Sequence, residues 1–243
     1  MKNIIILFSV FFALNVSSAE RIEVIVSASP GGPADVITRK TIERLEKQTN
    51  LQFIVLNKPG GERVIAYNYL NNTTKPTLIF ETPEIEKHEV FTQIDEIFNL
   101  GHFYSILLVS EKSQIKNLNQ LIDLSKQREI IFGHASIGSY SHLASKQLCE
   151  KTLRCLGIPY KSSAEGMIGL MTGTIDAYAI VSYGSKQFVD NDKYVAIHNI
   201  RFDREKSWCK LFGKNLSKKD IQSIEHVLKS TDSRFFTEMG FDK

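Results

Sequence analysis

The sequence is poor in cysteine, carries little net charge and, after its first residues, lacks a long apolar run. Its three cysteines have no histidine or further cysteine at the spacing of a zinc finger, so no metal or cofactor is expected. The formal net charge is only +3, and acidic or apolar residues interrupt the basic runs, which argues against a nucleic-acid partner. No stretch beyond residue 16 is apolar for long enough to cross a bilayer.

The first residues have the pattern of a removable export signal. Lys2 is followed by an apolar run from Ile4 to Val16 and then by the small residues at positions 17–19. The run is shorter than a membrane span, although an uncleaved anchor is the alternative. We therefore expect residues 1–19 to be a signal peptide. Its removal takes away one lysine and no acid, so the mature chain is almost neutral.

Runs with strand character alternate with runs of helical periodicity along the rest of the chain, without internal repeats or low-complexity tracts. The first series, strand-helix-strand-helix-strand between Ile22 and Phe80, predicts parallel strands. A second series extends from Phe103 to Val181, and a tail with two helices follows Trp208. The pattern predicts an α/β fold with two lobes, lobe 1 being residues 20–103 plus 200–243 and lobe 2 residues 104–199.

Two loops rich in glycine and serine occupy corresponding places in the two series. The loop Ser-Pro-Gly-Gly-Pro-Ala-Asp at residues 29–35 and the loop at residues 133–142 each follow a strand-like run and begin a helical segment. The first N–H groups of a helix have no partner within it and carry about half a positive charge. Small side chains there leave these groups open to an anion. The two loops therefore predict an anionic ligand clamped between the lobes.

Five motifs follow one another along the chain: Pro30-Gly31-Gly32-Pro33-Ala34-Asp35-x-x-x-Arg39, Asn57-Lys58-Pro59-Gly60, Gly138-Ser139-x-Ser141-His142-Leu143-Ala144, Ile158-Pro159-Tyr160-Lys161-x-x-Ala164 and Gly173-x-Ile175-Asp176. With these motifs in this order, the chain resembles the Bug-type extracytoplasmic solute receptors, which are the substrate-binding subunits of tripartite tricarboxylate transporters. Where that family usually has further glycines, this chain has Glu62 and Arg63. The resemblance covers nearly the whole mature sequence.

The resemblance implies a type II periplasmic-binding-protein fold, with two α/β lobes and the ligand in the cleft between them. It also implies a monomeric periplasmic receptor that binds a small organic carboxylate and delivers it to membrane permease subunits. In that family, backbone amides and small side chains of the two loops hold the carboxylate. The ligand-binding residues predicted here are Ser29, Gly31, Gly32, Ala34, Asp35, Ser136, Gly138, Ser139, Tyr140 and Ser141.

Several of these residues also have a purely structural interpretation. Paired glycines commonly serve tight turns, and a serine at a helix start commonly caps it. Asp35 is as well suited to orienting its loop as to contacting a ligand. Glu81 and Glu84 are expected at the surface; if their loop reaches the cleft, one of them is a candidate partner for a ligand ammonium group. Lys161 fits a solvated lysine better than a ligand counter-charge.

Two other functions are compatible with the sequence. Ser139, His142 and Asp176 are the ingredients of a hydrolase triad, but no nucleophile-elbow sequence accompanies them, so we predict no catalytic residue. A degenerate receptor that only contacts a protein partner is the second alternative. Cys149 and Cys155 are equally compatible with a disulfide and with free buried thiols.

Overall fold

The computed structural model describes residues 21–242, except for the side chain of Glu84. The predicted signal peptide lies outside the described residues. The strands are β1 (Ile22–Val26), β2 (Phe53–Asn57), β3 (Thr77–Glu81), β4 (Asp95–His102), β5 (Ser105–Ser110), β6 (Ile130–His134), β7 (Cys155–Pro159), β8 (Ala177–Val181), β9 (Tyr194–Ile200) and β10 (Trp208–Lys214). The helices are α1 (Pro33–Gln48), α2 (Val64–Asn72), α3 (Leu118–Gln127), α4 (Tyr140–Lys151), α5 (Ser163–Thr172), α6 (Lys186–Val189), α7 (Lys218–Ser230) and α8 (Ser233–Glu238).

The strands form two separate five-stranded sheets. The first has the order β2-β1-β3-β10-β4, with β1 parallel to β2 and β3 and with β10 antiparallel to β3 and β4. The second has the order β7-β6-β8-β5-β9, with β6 parallel to β7 and β8 and with β5 antiparallel to β8 and β9. Helices cover both sheets, and the predicted α/β class is confirmed.

Each sheet has its own apolar core. Leu78 and Leu211 of the first sheet are fully buried in one cluster with Leu45 of α1 and Ile224 of α7. In the second sheet, Phe132 packs in a cluster with residues of α3 and α4. We call the first sheet with α1, α2, α7 and α8 lobe 1, and the second sheet with α3 to α6 lobe 2. None of the helices in residues 21–242 is both long and apolar enough to span a membrane.

The chain passes between the lobes where β4 leads into β5 and where β9 leads towards β10. Phe103, in the first passage, makes edge-to-face contacts with the rings of Tyr140 (4.6 Å between centroids) and Tyr183 (5.0 Å). The aromatic rings therefore pack the lobes together at the side where the chain crosses between them.

Local predictions agree with the structure where a side chain or a glycine decides the geometry. Asn117 caps α3 by accepting a hydrogen bond from the N–H of Gln120, and Gly173 ends α5 in the left-handed conformation. Cys149 and Cys155 form a disulfide with their Cα atoms 5.4 Å apart, which joins the end of α4 to β7. The sequence pattern does not predict strands β4 and β9, because each lies at a sheet edge and mixes polar with apolar residues.

Candidate functional site

A cavity of about 720 Å³ lies between the two lobes, and we call it the interlobe cavity. Both loops singled out in the sequence reach it. Lobe 1 lines it with residues 27–29, 32–34, 37, 59–63, 80–82 and 209, and lobe 2 with residues 135, 136, 139–141, 161–163, 165, 180, 181 and 183.

Most of the predicted ligand-binding residues line the interlobe cavity. In the loop before α1 these are Ser29, Gly32 and Ala34, and in the loop before α4 they are Ser136, Ser139, Tyr140 and Ser141. The structure places Gly31, Asp35 and Gly138 outside the lining. These three residues instead hold the two loops in shape.

The carboxylate of Asp35 holds the loop before α1 in shape. It accepts hydrogen bonds from the N–H of Gly31 (2.9 Å), from Arg39 Nε (2.9 Å) and from Asn57 Nδ2 (2.9 Å). Burial alone would raise the pKa of Asp35, but these donors outweigh burial and hold the pKa below its usual value. Gly31 has φ +75, a conformation that suits glycine, so its place in the turn explains its identity.

Helix α1 starts beside the interlobe cavity with little to obstruct an anion. Gly32 is the N-cap, Pro33 occupies the first turn, and among the described residues no side chain caps the helix. An anion binds at the start of a helix where no side chain caps the first-turn N–H groups, and the start of α1 meets this condition.

The loop of lobe 2 is held by hydroxyl, imidazole and backbone groups. Ser139 caps α4 by accepting from the N–H of His142 at 3.2 Å, and His142 Nδ1 accepts from the N–H of Gly138 at 3.2 Å. Ser141 Oγ accepts from the N–H of Ala135 at 3.1 Å and donates to the carbonyl of Ala179. Ser139 therefore has the helix-capping role that was the alternative to ligand binding. Ser141 connects its loop to strand β8 by hydrogen bonds.

A third helix start, that of α5, also reaches the interlobe cavity. Ser162 caps α5 by accepting from the N–H of Glu165 at 3.2 Å, and both residues line the cavity. The exposed Lys161 lies beside them. This start was not among the predicted site residues, although a serine N-cap followed three residues later by glutamate is a recognisable signal.

Glu81 corrects an expectation, because it lies in the cavity wall and not at the surface. It ends β3 and is 3% exposed. Arg63 Nη1 lies 2.7 Å from its Oε2, and Ser27 Oγ donates to its Oε1.

The free thiol of Cys209 also lines the interlobe cavity. Burial raises the pKa of this thiol, and the nearby Glu81 carboxylate adds to that rise, so the thiol stays protonated.

The ingredients of a hydrolase triad are not assembled. Asp176 precedes β8 at one end of the sheet, where it pairs with Arg128 and accepts from the N–H of Ile131 at 2.8 Å. Ser139 and His142 follow β6, which is parallel to β8, so they lie at the opposite end. No group of three or more His, Cys, Asp or Glu side chains in the described part of the chain is placed to hold a metal ion.

Comparison with known sequences finds one family and distant relatives. Residues 37–211 match TctC, the tripartite tricarboxylate transporter family receptor. A UPF0065 protein of Bordetella pertussis is 22% identical over 197 residues, which cover 75% of this chain and 61% of that protein. BugT of the same organism is 25% identical over 176 residues, which cover 65% of this chain and 54% of BugT. The chain thus spans somewhat more than half the length of these relatives.

Comparison with solved structures finds the same architecture. Rpa4515 of R. palustris, solved with adipate, has a TM-score of 0.77 at 18% identity, with 90% of this chain and 87% of that chain covered. MatC of Rhodopseudomonas palustris, solved with malate, has a TM-score of 0.69 at 17% identity, with 90% and 88% covered. The two-lobed fold is therefore that of the periplasmic binding proteins. Because the family match spans most of its length, the chain belongs to the tripartite tricarboxylate transporter receptor family.

Proposed function

We propose that the protein is an exported, monomeric periplasmic receptor that binds a small organic carboxylate in the interlobe cavity and delivers it to membrane permease subunits. Residues 1–19 act as the signal peptide in this proposal. Residues 20–103 plus 200–243 and residues 104–199 act as the two lobes that enclose the ligand.

The observation that carries the proposal is the meeting of three helix starts at one cavity. Helices α1, α4 and α5 all begin at residues of the interlobe cavity lining. In this proposal the first turns supply N–H groups and positive partial charge to the enclosed space, which favours an anion. A hydrogen bond to a charged group contributes roughly 1.5–3 kcal/mol, so four such donors approach the ~8 kcal/mol of a micromolar complex.

The ligand contacts in this proposal come from the lining part of the two loops. Ser29, Gly32 and Ala34 act from lobe 1, and Ser136, Ser139 and Tyr140 from lobe 2. Gly31, Asp35, Gly138 and Ser141 act through the shape of the loops. Except for Tyr140, the contacting positions carry small side chains, which let the backbone approach the ligand closely.

The size of the interlobe cavity and the structural neighbours support the ligand class. A cavity of about 720 Å³ is in the ordinary range for small-molecule sites. Two neighbours of the same fold were solved with adipate and malate, both small carboxylates. Gln187 Nε2 of lobe 2 donates to the carbonyl of Gly31 in lobe 1 at 3.1 Å, a contact suited to holding the lobes closed around a ligand.

The proposal is tested by a thermal-shift screen of the mature protein against small carboxylates, followed by calorimetry on the positives. At least one carboxylate is expected to raise the melting temperature and to bind with micromolar affinity or better. Mass spectrometry of small molecules that co-purify with the protein is an independent route to the ligand. A screen in which neutral or cationic compounds bind and no carboxylate does would contradict the proposal.

A further inference from the structure

The loop before α4 separates the interlobe cavity from a second cavity, which residues of lobe 2 line. Residues 135, 136 and 139–141 line the interlobe cavity. The second cavity has a volume of about 270 Å³, and we call it the lobe 2 cavity. Ile137 of the same loop lines it, together with His134 of β6 and His142 of α4. A change at these histidines therefore acts on the loop from the side opposite the interlobe cavity.

The two histidines hold the loop through opposite ring tautomers. His134 Nδ1 lies 2.5 Å from the carbonyl of Ala135, and a carbonyl only accepts, so Nδ1 of His134 carries the proton. His142 Nδ1 accepts from the N–H of Gly138 at 3.2 Å, so the proton of the neutral His142 ring lies on Nε2. A second proton on His142 has to go to Nδ1. The imidazolium then has no acceptor left, and the hydrogen bond from Gly138 is lost.

His142 also occupies a sensitive place in α4. It lies in the first turn, three residues after the N-cap Ser139. Its bond back to the loop resembles a capping box, in which a glutamate or glutamine accepts from the N-cap N–H. Histidine differs from both, because it gains a positive charge between pH 5 and 8, and a positive charge is unfavourable at a helix start. Protonation therefore releases the loop and weakens the start of α4 at the same time.

The charged and titratable groups around His142 come from β6, α4 and lobe 1. His134 is 3% exposed, and its ring centroid lies 4.7 Å from that of His142. Lys146, one turn along α4, lines the lobe 2 cavity and lies 3.7 Å from Glu150. Oε2 of the exposed Glu62 in lobe 1 lies 3.9 Å from where residue 138 would carry a Cβ. Burial lowers the pKa of His134, so the pair takes up its first proton on the partly exposed His142.

We propose that acidification weakens ligand binding by this receptor, because protonated His142 releases Gly138 and the loop before α4 loses its fixed shape. This inference rests on the proposed function and adds regulation of the same site. His142 is a positioning residue, since it lines the lobe 2 cavity and lies outside the interlobe lining. Solvent screens its charge from the interlobe cavity, so the loss of loop shape outweighs any attraction for the anion.

The test is calorimetry at pH 7.5 and 5.5 with malate, adipate and any further carboxylate that binds in the screen. Wild-type protein is expected to bind about three- to tenfold more weakly at pH 5.5. In His142→Asn, the side-chain oxygen accepts from Gly138 but does not titrate, so the two affinities are expected to stay within about twofold. His198→Asn removes an exposed histidine of β9 in the same lobe. It is the matched control and is expected to keep the wild-type ratio.

Nuclear magnetic resonance of the ligand-free wild-type protein tests the loop directly and does not depend on a variant. The amide proton of Gly138 is expected to shift, and to exchange faster with water, as the ring of His142 becomes protonated. Both signals should follow the same pH midpoint. A Gly138 amide that does not follow the protonation of His142 overturns the release of the loop.

The affinity measurements have two further outcomes that overturn the inference and leave the proposed function intact. One is a wild-type affinity that is unchanged or higher at pH 5.5. The other is an equal change in wild type and His142→Asn while both remain folded by thermal unfolding. A wild-type protein that binds no carboxylate at either pH overturns the proposed function, and the Gly138 amide then decides separately whether the loop is released.

Discussion

The two sides of the interlobe cavity are built from different chemistry. On the lobe 1 side, ionised groups hold the structure: Asp35 ties the loop before α1, and Glu81 holds Arg63. On the lobe 2 side, hydrogen bonds between backbone groups and the hydroxyls of Ser139 and Ser141 hold the loop before α4. A fixed charge recognises charge at one place, whereas hydroxyls and amides accommodate varied oxygen positions. The shape of the lobe 1 side therefore depends on ionised groups, whereas that of the loop of lobe 2 depends mainly on hydroxyl and backbone hydrogen bonds.

The largest effect is expected when the ionic support of lobe 1 is removed. Asp35→Ala leaves the N–H of Gly31 without its acceptor, removes the partner of Arg39 Nε and takes away one of the two acceptors of Asn57 Nδ2, so we expect a loss of ~2–3 kcal/mol in the free energy of unfolding. Urea denaturation measures it. Glu43→Gln, which breaks an exposed pair with Lys47, is the matched control and should leave stability unchanged. Equal stability of Asp35→Ala and the control would refute the ionic support.

The contribution of Asp35 should also depend on pH. Because the pKa of Asp35 is lower in the folded protein than its ordinary value of 3.8, its stabilising contribution is present above that value. It is lost as the pH falls through the folded-state pKa. The difference in unfolding free energy between wild type and Asp35→Ala should therefore shrink on acidification below about pH 4. If the difference in unfolding free energy between the two proteins stays constant down to pH 2, the negative charge of Asp35 does not contribute to stability.

A smaller effect is expected from the neutral support of lobe 2. Ser141→Ala removes the acceptor for the N–H of Ala135 and the donor to the carbonyl of Ala179, at an expected cost of ~1–2 kcal/mol. Ser223→Ala, whose hydroxyl only donates to the carbonyl of Lys219 on the exposed side of α7, is the control. Urea denaturation of both variants decides the matter. If Ser141→Ala is as stable as the control, Ser141 does not anchor the loop.

The smallest effect comes from His134, behind the loop of lobe 2. Burial lowers its pKa; the backbone carbonyl of Ala135 opposes this, and His142, 4.7 Å away between ring centroids, adds to it. The folded protein thus favours neutral His134, and stability should fall as the pH drops below the ordinary histidine pKa of 6.5. Unfolding between pH 7.5 and 5.5 should be less pH-dependent in His134→Gln than in wild type. If the unfolding free energy changes with pH equally in both proteins, the buried His134 does not contribute to the pH dependence.

The helix starts were predictable from sequence, and the ion pair was not. A loop of small residues followed by helical periodicity is a local signal, and it identified the starts of α1 and α4. Arg63 and Glu81 are 18 residues apart, and only the pairing of β1 with β3 and the turn before α2 bring them to the same wall. The role of Asp35 was not predictable either. Its position beside two glycines fits a residue that contacts the ligand as well as one that holds the loop in shape. Its partner Asn57 becomes visible only once β2 lies beside β1.

The most direct test of the account is a crystal structure of the mature protein with the tightest-binding carboxylate from the screen. The account predicts one ligand carboxylate within hydrogen-bond distance of first-turn N–H groups of both α1 and α4, with Asp35 making no ligand contact. A carboxylate bound outside the interlobe cavity, or held there by side-chain charges without these amides, would contradict it.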